Sequence, residues 1–240
     1  MNAIGENRSR PAWKKMGQEL GKPKVIIAVS AHWMTMSSVA VRKAEDNPQI
    51  NDMYGFPQRL YDVKYSPKSD IAMAEKVLAA IPGSRVDNTW GIDHGVWSVL
   101  CNMYPDADVP VVMVSVDTEA SPEKQFEVGR ALRTLREEGA MIVCSGNVVH
   151  NLGMVNWRMT DGFPWADEFD ITVRDLIMKG DFETVVKFDK IKDYLLSVPT
   201  TEHFFPLLNA LGAACDADER IVWNEYRELG SMSMTSYLFR

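Results

Sequence analysis

The residues of this sequence best suited to acid–base or metal chemistry are its four histidines, His32, His94, His150 and His203. Imidazole titrates near neutral pH and binds divalent transition metals. Four histidines in 240 residues are no enrichment, so their number alone predicts nothing. Their positions are more informative, because His32 in SAHW and His150 in SGNVVHNL each follow an apolar run.

Each histidine also has an ordinary structural explanation. A histidine near a strand end more often hydrogen bonds to backbone than binds a metal. His94, in WGIDHGVW, fits a loop or a helix cap in which Asp93 is the capping acceptor. His203, in PTTEHFFPLL, fits the first turn of a helix capped by Thr200 or Thr201. Convergence of several histidines on one place would favour a functional site over these alternatives.

Short apolar runs rich in β-branched residues predict three buried strands, at Lys24–Ser30, Val109–Asp117 and Ala140–Ser145. A helix is predicted between the last two, with Ser121 as its N-cap, Pro122 in its first turn and Gly139 as its stop. Other helical patterns cover Pro11–Leu20, Ser69–Ile81 and Asp167–Lys179. This order is typical of an α/β layer, in which ligands bind outside the carboxyl ends of strands, where His32 and His150 are expected.

The C-terminal segment has a different pattern. Between residues 231 and 239 (SMSMTSYLF), every second side chain shares one face, which predicts a single strand covered on one side. The members of that face are Met232, Met234, Ser236 and Leu238. The sequence has no internal repeat, low-complexity tract or linker-like stretch. We therefore expect one α/β domain over residues 1–240 rather than two.

Composition excludes several classes of function. The net charge is −7, from 26 Lys plus Arg against 33 Asp plus Glu, without the basic clusters that bind nucleic acid. The three cysteines form no close pair, which favours a reducing compartment. No stretch of the sequence is apolar enough to span a bilayer. We therefore expect a cytoplasmic protein without nucleic-acid or membrane partners. The sequence has no G-x-S-x-G elbow, no P-loop and no G-x-G-x-x-G after a strand, which are the usual motifs of serine hydrolases, P-loop proteins and dinucleotide-binding enzymes.

Five motifs, in their order and spacing, resemble those of one known family. They are SAHW at 30–33, YGFPQRLYDVKY at 54–65, WGIDHGVW at 90–97, SGNVVHNL at 145–152 and PTTEHFFPLL at 199–208. The chain is similar in these motifs to the DOPA 4,5-dioxygenase-like branch of the class III extradiol ring-cleavage dioxygenases. The resemblance extends to the terminal GSMSMTSYLF and implies one α/β domain with a central mixed sheet flanked by helices.

The resemblance also implies roles for the histidines. It gives His32 and His203 as metal ligands, and His150 as an acid/base histidine outside the ligand set. It gives His94 as a further histidine that faces the substrate. Ser30 and Asn147 are implied, less directly, as residues that orient the imidazoles, because hydrogen bonds from the surroundings usually fix the tautomer of a ligating histidine.

The activity that follows from the resemblance is a metal-dependent extradiol dioxygenase, which opens the ring of a small, DOPA-like catechol with dioxygen. We expect Fe(II) for activity, because its open positions accept both reactants, and Zn(II) as an ion that can occupy the same site. Moving the catechol protons requires a base of near-neutral pKa, which suits His150 with His94 beside it. Two alternatives stay open: a non-enzymatic binding or scaffold protein on this fold, and a zinc-dependent hydrolase. The sequence does not indicate the oligomeric state.

One departure from the family concerns the start of the chain. The family pattern opens with a strand that ends in Gly-His-Gly-Ser-Pro, whose histidine is the remaining metal ligand, followed by Met-Asn-Ala. This chain begins Met1, Asn2, Ala3. We therefore expect that the N-terminal strand and its ligand are missing from the sequence. Either the start was assigned at an internal methionine or the protein is a truncated relative, and the retained histidines favour the first explanation.

Overall fold

A computed structural model describes residues 3–240. Its strands are β1 (Val25–Thr35), β2 (Ala40–Val41), β3 (Arg85–Val86), β4 (Val111–Asp117), β5 (Ala140–Ser145), β6 (Arg220–Asn224), β7 (Arg227–Glu228), β8 (Met232–Ser233) and β9 (Ser236–Phe239). Its α-helices are α1 (Ser9–Leu20), α2 (Gln58–Tyr61), α3 (Ile71–Ala80), α4 (His94–Met103), α5 (Pro122–Leu132), α6 (Pro164–Lys179), α7 (Phe182–Val186), α8 (Tyr194–Ser197) and α9 (Phe205–Ala213). Short 3-10 helices cover Arg133–Glu138, Leu152–Met154 and Phe188–Lys190.

The central sheet has five strands in the order β3-β2-β4-β1-β5. β1 pairs in parallel with both β4 and β5, whereas β2 pairs antiparallel with β4. The buried strands β1 and β4 are covered on both faces, which explains why their sequences read as continuous apolar runs. The predicted fold class, a single α/β domain with a central mixed sheet flanked by helices, is confirmed.

Side chains alternate along β1 between two cores on opposite faces of the sheet. Val25, Ile27 and Val29 pack into the core that includes α5, α6 and α9. Ile26 and Ala28 pack into the other core, with α1 and α4. Each face of the sheet therefore supports a different set of helices, and the carboxyl ends of the strands lie between the two layers.

The helix predicted after Ser121 begins and ends where expected. The Ser121 side chain accepts a hydrogen bond from the Lys124 N–H, and Gly139 closes the segment with a left-handed φ of 93°. Its last part, Arg133–Glu138, is a 3-10 helix rather than an α-helix, a tightening that is frequent where helices end. The predicted boundaries are thus right, and the predicted helix type holds only up to Leu132.

The single C-terminal strand predicted from alternation is wrong. Two short strands form instead, and they pair with different partners: β8 with β7, and β9 with β6. The buried Asp170 carboxylate of α6 accepts hydrogen bonds from Ser233 Oγ at 2.8 Å and Thr235 Oγ1 at 2.6 Å. These bonds fix the chain at the break, so the alternating pattern is divided between two small sheets.

Among the helices of residues 3–240, none combines the length and apolar character that crossing a bilayer requires. Met1 and Asn2 lie outside the described residues, and the expectation that a strand ahead of Met1 is missing stays a prediction.

Candidate active site

The four histidines converge at the carboxyl ends of the parallel strands β1 and β5. The ring centres of His32 and His94 lie 4.0 Å apart, and those of His32 and His203 lie 5.2 Å apart. The His150 ring stacks on His203 with a centre separation of 3.5 Å and an angle of 5°. The strand pattern predicts that His32 and His150 lie at one edge of the sheet, and the resemblance adds His94 and His203. The structure places all four in one cluster, which favours a functional site.

Two of the histidines are placed by the sheet. His32 lies within β1, where the register against β4 shifts between Ser30 and Met34. Irregularities of this kind re-aim side chains, and they occur next to active sites. His150 lies in the loop that follows β5, where its backbone N–H donates to the Ser197 carbonyl at 3.0 Å. Because β1 and β5 are parallel neighbours, both imidazoles emerge at the same edge of the sheet.

The other two histidines are placed by helices. His94 is the first residue of α4, and Asp93 caps this helix by accepting from the Val96 N–H, as the sequence analysis allows. His203 lies just before α9 rather than inside its first turn. The threonine cap considered for that helix is not formed, since the N-cap position is Phe204 without a side-chain hydrogen bond. The expected helix cap by Asp93 next to His94 is therefore confirmed, and the expected first-turn position of His203 in a threonine-capped helix is wrong.

A carboxylate that the sequence analysis does not single out, Asp52, lies between two of the rings. Its Oδ2 is 3.0 Å from His32 Nδ1, and its Oδ1 accepts the His94 backbone N–H at 2.8 Å. Oδ1 is also 2.9 Å from His94 Nδ1, but this contact is poorly aligned and gives that nitrogen no well-formed hydrogen bond. Burial opposes ionisation of Asp52, yet the hydrogen bond from the His32 ring and that from the His94 backbone N–H hold its pKa far below the usual range.

His203 has a carboxylate partner of its own. Glu202 Oε1 lies 3.1 Å from His203 Nδ1 and accepts a hydrogen bond from Thr200 Oγ1 at 2.8 Å. Burial alone would raise the pKa of Glu202, but the hydrogen bonds from His203 and Thr200 lower it to about 2. His32 and His203 thus each place Nδ1 against a carboxylate, and each leaves Nε2 as the nitrogen available to a ligand.

The donor set fits a divalent metal held by these two imidazoles. Rings that bind one ion through Nε2 at about 2.1 Å, at a near-tetrahedral angle, have centres about 5 Å apart. The 5.2 Å between the ring centres of His32 and His203 agrees with this arrangement. A carboxylate behind each ligating imidazole is also the usual pattern at metal sites.

The pKa values of the imidazoles differ with their surroundings. Burial lowers the pKa of His203, although Glu202 opposes the effect. Burial works in the same direction on His32, but the hydrogen bond to Asp52 and the nearby charges raise its pKa. Burial and the charges of His203 and His32 lower the pKa of His150 to about 3. This value is below the near-neutral pKa that the sequence analysis expects, and it leaves the His150 ring uncharged.

Ser30 and Asn147 hold the backbone around the imidazoles rather than the rings. Ser30 Oγ accepts the His32 backbone N–H at 3.2 Å and donates to Asp93 Oδ1 at 2.8 Å. The Asn147 backbone N–H donates to the His203 carbonyl at 2.8 Å. Both residues therefore support the site through the main chain, which differs from the direct orientation of imidazoles that the resemblance implies.

Gly95 allows α4 to approach the His32 ring. A Cβ atom at position 95 would lie 2.9 Å from His32 Cδ2 and 3.2 Å from Asp93 Oδ1. We expect Gly95→Ala to displace His32 and weaken Zn(II) binding by about tenfold or more, as loss of a supporting contact does at other metal sites. Because alanine favours helices by up to about 1 kcal/mol over glycine, the fold itself should tolerate the change.

Competition with a chelating indicator measures the Zn(II) affinity of this variant, and thermal unfolding of the metal-free protein checks its fold. Wild-type affinity in a folded Gly95→Ala protein would contradict the packing argument.

A cavity of about 1140 Å³ opens beside the four rings and continues along β5 towards β9. Its lining is mainly apolar, with the imidazoles as a convergent polar group. Two large aromatic side chains at this lining are mostly open to solvent, Tyr54 at 91% and Trp157 at 76%. Clefts of this character bind small organic molecules.

The chain is similar to known proteins in sequence and in structure. The family described as the catalytic LigB subunit of aromatic ring-opening dioxygenase matches residues 8–240. The 4,5-DOPA dioxygenase extradiol of Escherichia coli (strain K12) is 42% identical, over 98% of this chain and 89% of that protein. The protein of the same name from Beta vulgaris is 36% identical, over 91% of this chain and 83% of its own length. A crystal structure of an uncharacterized protein from Escherichia coli K12 matches with a TM-score of 0.85 and 35% identity, covering 98% of this chain and 93% of that one.

Proposed function

Because this chain belongs to the family of the catalytic LigB subunit of aromatic ring-opening dioxygenases, we propose that it opens a small catechol with dioxygen at a metal held by His32 and His203. The family indicated by the five sequence motifs is confirmed, and the protein is an extradiol ring-cleavage enzyme. We propose a DOPA-like catechol as the substrate, since relatives carry that name. We also propose that residues 1–240 act as one catalytic domain.

The observation that carries this proposal is the arrangement of the two proposed ligands. His32 comes from the central sheet and His203 from the segment just before α9, yet their ring centres are 5.2 Å apart and both Nδ1 atoms face carboxylates. A protein that merely buries its histidines has no need of this pairing. It supports a metal centre in which Nε2 of each ring is the ligand atom.

Fe(II), when bound, supplies open coordination positions for both catechol oxygens and for dioxygen. Zn(II) can occupy the same ligands without supporting oxygen chemistry. We therefore propose Fe(II) as the active metal.

Proton handling is the proposed work of His150 and His94. The His150 ring stacks on the proposed ligand His203 and is not itself one of the two proposed ligands, so it lies next to the proposed metal position. An uncharged imidazole has a lone pair that can accept the proton of a catechol hydroxyl and later return it. His94 lies 4.0 Å from His32, measured between ring centres, where it can hydrogen bond to the same substrate.

The cavity supplies room for the substituent on the catechol ring. Tyr54 and Trp157 line it with aromatic faces, which suit an aromatic substrate that enters from solvent. The three cysteines are free thiols, and we propose a cytoplasmic location on the strength of this reducing chemistry.

Oxygen consumption tests the proposal. Protein purified without oxygen and loaded with Fe(II) is expected to consume dioxygen when given a panel of catechols that includes DOPA. The visible absorbance of a ring-opened product should rise at the same rate, because cleavage consumes one dioxygen per ring. An oxygen electrode and an absorbance spectrometer measure the two quantities on the same sample.

The Zn(II)-loaded protein is the matched control, and we expect no oxygen uptake from it. If Fe(II) is confirmed in the site and no catechol supports uptake, the dioxygenase proposal is wrong. Tight catechol binding without turnover would then favour a binding protein. Hydrolytic turnover by the zinc form without oxygen would favour a zinc-dependent hydrolase.

A further inference from the structure

Asp52 is held rigidly although it lies outside any helix or strand. Two residues earlier in the chain, the Ile50 N–H donates to the Ile92 carbonyl at 2.7 Å, and the Ile50 carbonyl accepts from Trp97 Nε1 at 3.0 Å. Ile92 and Trp97 are both fully buried. The loop that carries Asp52 is therefore fixed to the start of α4, the helix whose first residue is His94.

The charge and hydrogen-bonding capacity of Asp52 determine where a proton can sit on His32. An ionised carboxylate has no proton to donate, so its contact with His32 Nδ1 requires the imidazole proton on that nitrogen. The two atoms are 3.0 Å apart, and the Asp52 side chain is only 14% exposed, so water competes little for the bond. Nε2 of His32 is left with its lone pair.

We propose that Asp52 is a positioning residue of this site: it fixes His32 in the tautomer that presents the Nε2 lone pair, and it holds His94 beside it through the backbone of α4. Only the identity of the bound metal and the reaction rest on the proposed function. The effect of Asp52 on the His32 tautomer is a property of the metal-free protein as well.

Asp52→Asn is the informative substitution, because asparagine has nearly the same shape and keeps an oxygen for the His94 backbone N–H. Its amide group, when it faces His32, brings an N–H where the carboxylate oxygen lies in the wild type. That N–H needs a lone pair on His32 Nδ1, so the imidazole proton moves to Nε2. The substitution should therefore reverse the tautomer without removing the hydrogen bond that anchors α4.

Long-range proton–nitrogen NMR spectra of the imidazoles distinguish the two tautomers, and the chain has only four histidines to assign. In the metal-free wild type, above neutral pH, we expect His32 to carry its proton on Nδ1. In Asp52→Asn, the His32 signals should change to the Nε2–H pattern, while those of His203 stay unchanged. In Glu202→Gln, the His203 signals should change to the Nε2–H pattern while those of His32 stay unchanged, because Glu202 contacts His203 Nδ1.

Asp93→Asn is the matched control for loss of charge. Asp93 is buried and its charge acts on His32, but its carboxylate oxygens bond to Ser30, Trp90 and Val96 rather than to the His32 ring. Asparagine is also an acceptable N-cap. We expect Asp93→Asn to leave the His32 tautomer as it is in the wild type.

Zn(II) affinity gives the second readout, and we expect Asp52→Asn to weaken it by about 10- to 100-fold, the usual effect of removing a carboxylate behind a ligating histidine. A wild-type His32 tautomer in folded Asp52→Asn protein, or wild-type Zn(II) affinity, would overturn the proposal. These measurements do not depend on catechol turnover. A protein that shows the tautomer change but consumes no oxygen would retain the positioning role and lose the proposed function.

Discussion

His150→Ala should lower catechol-dependent oxygen consumption by about 10²- to 10⁴-fold, the range expected when a general acid–base group is removed, while the protein keeps its metal. The His150 ring stacks on the proposed ligand His203, and it is not one of the two imidazoles whose Nδ1 atom faces a carboxylate within hydrogen-bonding distance. Its removal therefore takes away a proton acceptor and leaves both proposed ligands in place.

His32→Ala and His203→Ala are the contrasting variants, and we expect each to lose the metal itself. Metal content after gel filtration, measured beside oxygen uptake on the same Fe(II)-loaded samples, separates the two kinds of defect. If His150→Ala loses metal as readily as His32→Ala, then His150 is a ligand and the assignment of the base is wrong. Near wild-type turnover in a metal-loaded His150→Ala protein would remove His150 from the reaction altogether.

Asp170→Ala should destabilise the protein by about 3 to 5 kcal/mol, as breaking a buried, hydrogen-bonded ion pair does elsewhere. The Asp170 carboxyl is only 1% exposed and accepts from Ser233, Thr235 and Arg227. Burial raises the pKa of Asp170, and these hydrogen bonds oppose that effect. Alanine would leave the buried Ser233 hydroxyl, the half-buried Thr235 hydroxyl and the Arg227 guanidinium group without this acceptor. It would also release the chain at the break between β8 and β9.

Denaturant unfolding of the metal-free protein measures the free energy of unfolding in this variant. Asp175→Ala is the control, because Asp175 lies on the same helix, is exposed and contacts only its neighbour Arg174 among the ion pairs of residues 3–240. We expect the control to change stability by less than about 0.5 kcal/mol. A loss below about 1 kcal/mol in Asp170→Ala would show that the surrounding side chains find other partners.

Much of the fold could be predicted from the sequence because burial on both faces leaves a strong signal. The runs that became β1 and β4 are rich in β-branched residues and buried along nearly their whole length, and the run of β5, although mostly half-buried, is also mainly apolar. β2 and β3 have two residues each, which is too short for any periodicity. The C-terminal alternation was visible, but the break within it depends on the distant Asp170, and local pattern carries no information on such a partner.

The site was predictable to the extent that its residues lie in recognisable motifs. The four histidines are such residues, and the structure places them together. Asp52 was missed because it stands two positions ahead of the motif that begins at Tyr54, in a loop with no periodic pattern. Glu202 is adjacent to His203 and was visible, but adjacency in the chain does not reveal that a carboxylate faces the ring. These contacts arise only when distant segments fold together.

The wide spacing of the site residues along the chain has a consequence for the order of folding. His32 belongs to the first long strand, whereas Glu202 and His203 lie in the last fifth of the sequence. Contacts of such long range form after local ones, because closing a large loop costs entropy before the contact is gained. A growing chain on the ribosome therefore cannot assemble this pair of imidazoles until nearly all of the domain has been synthesised. The metal site proposed at His32 and His203 would therefore form only late in folding, and early folding intermediates would lack it.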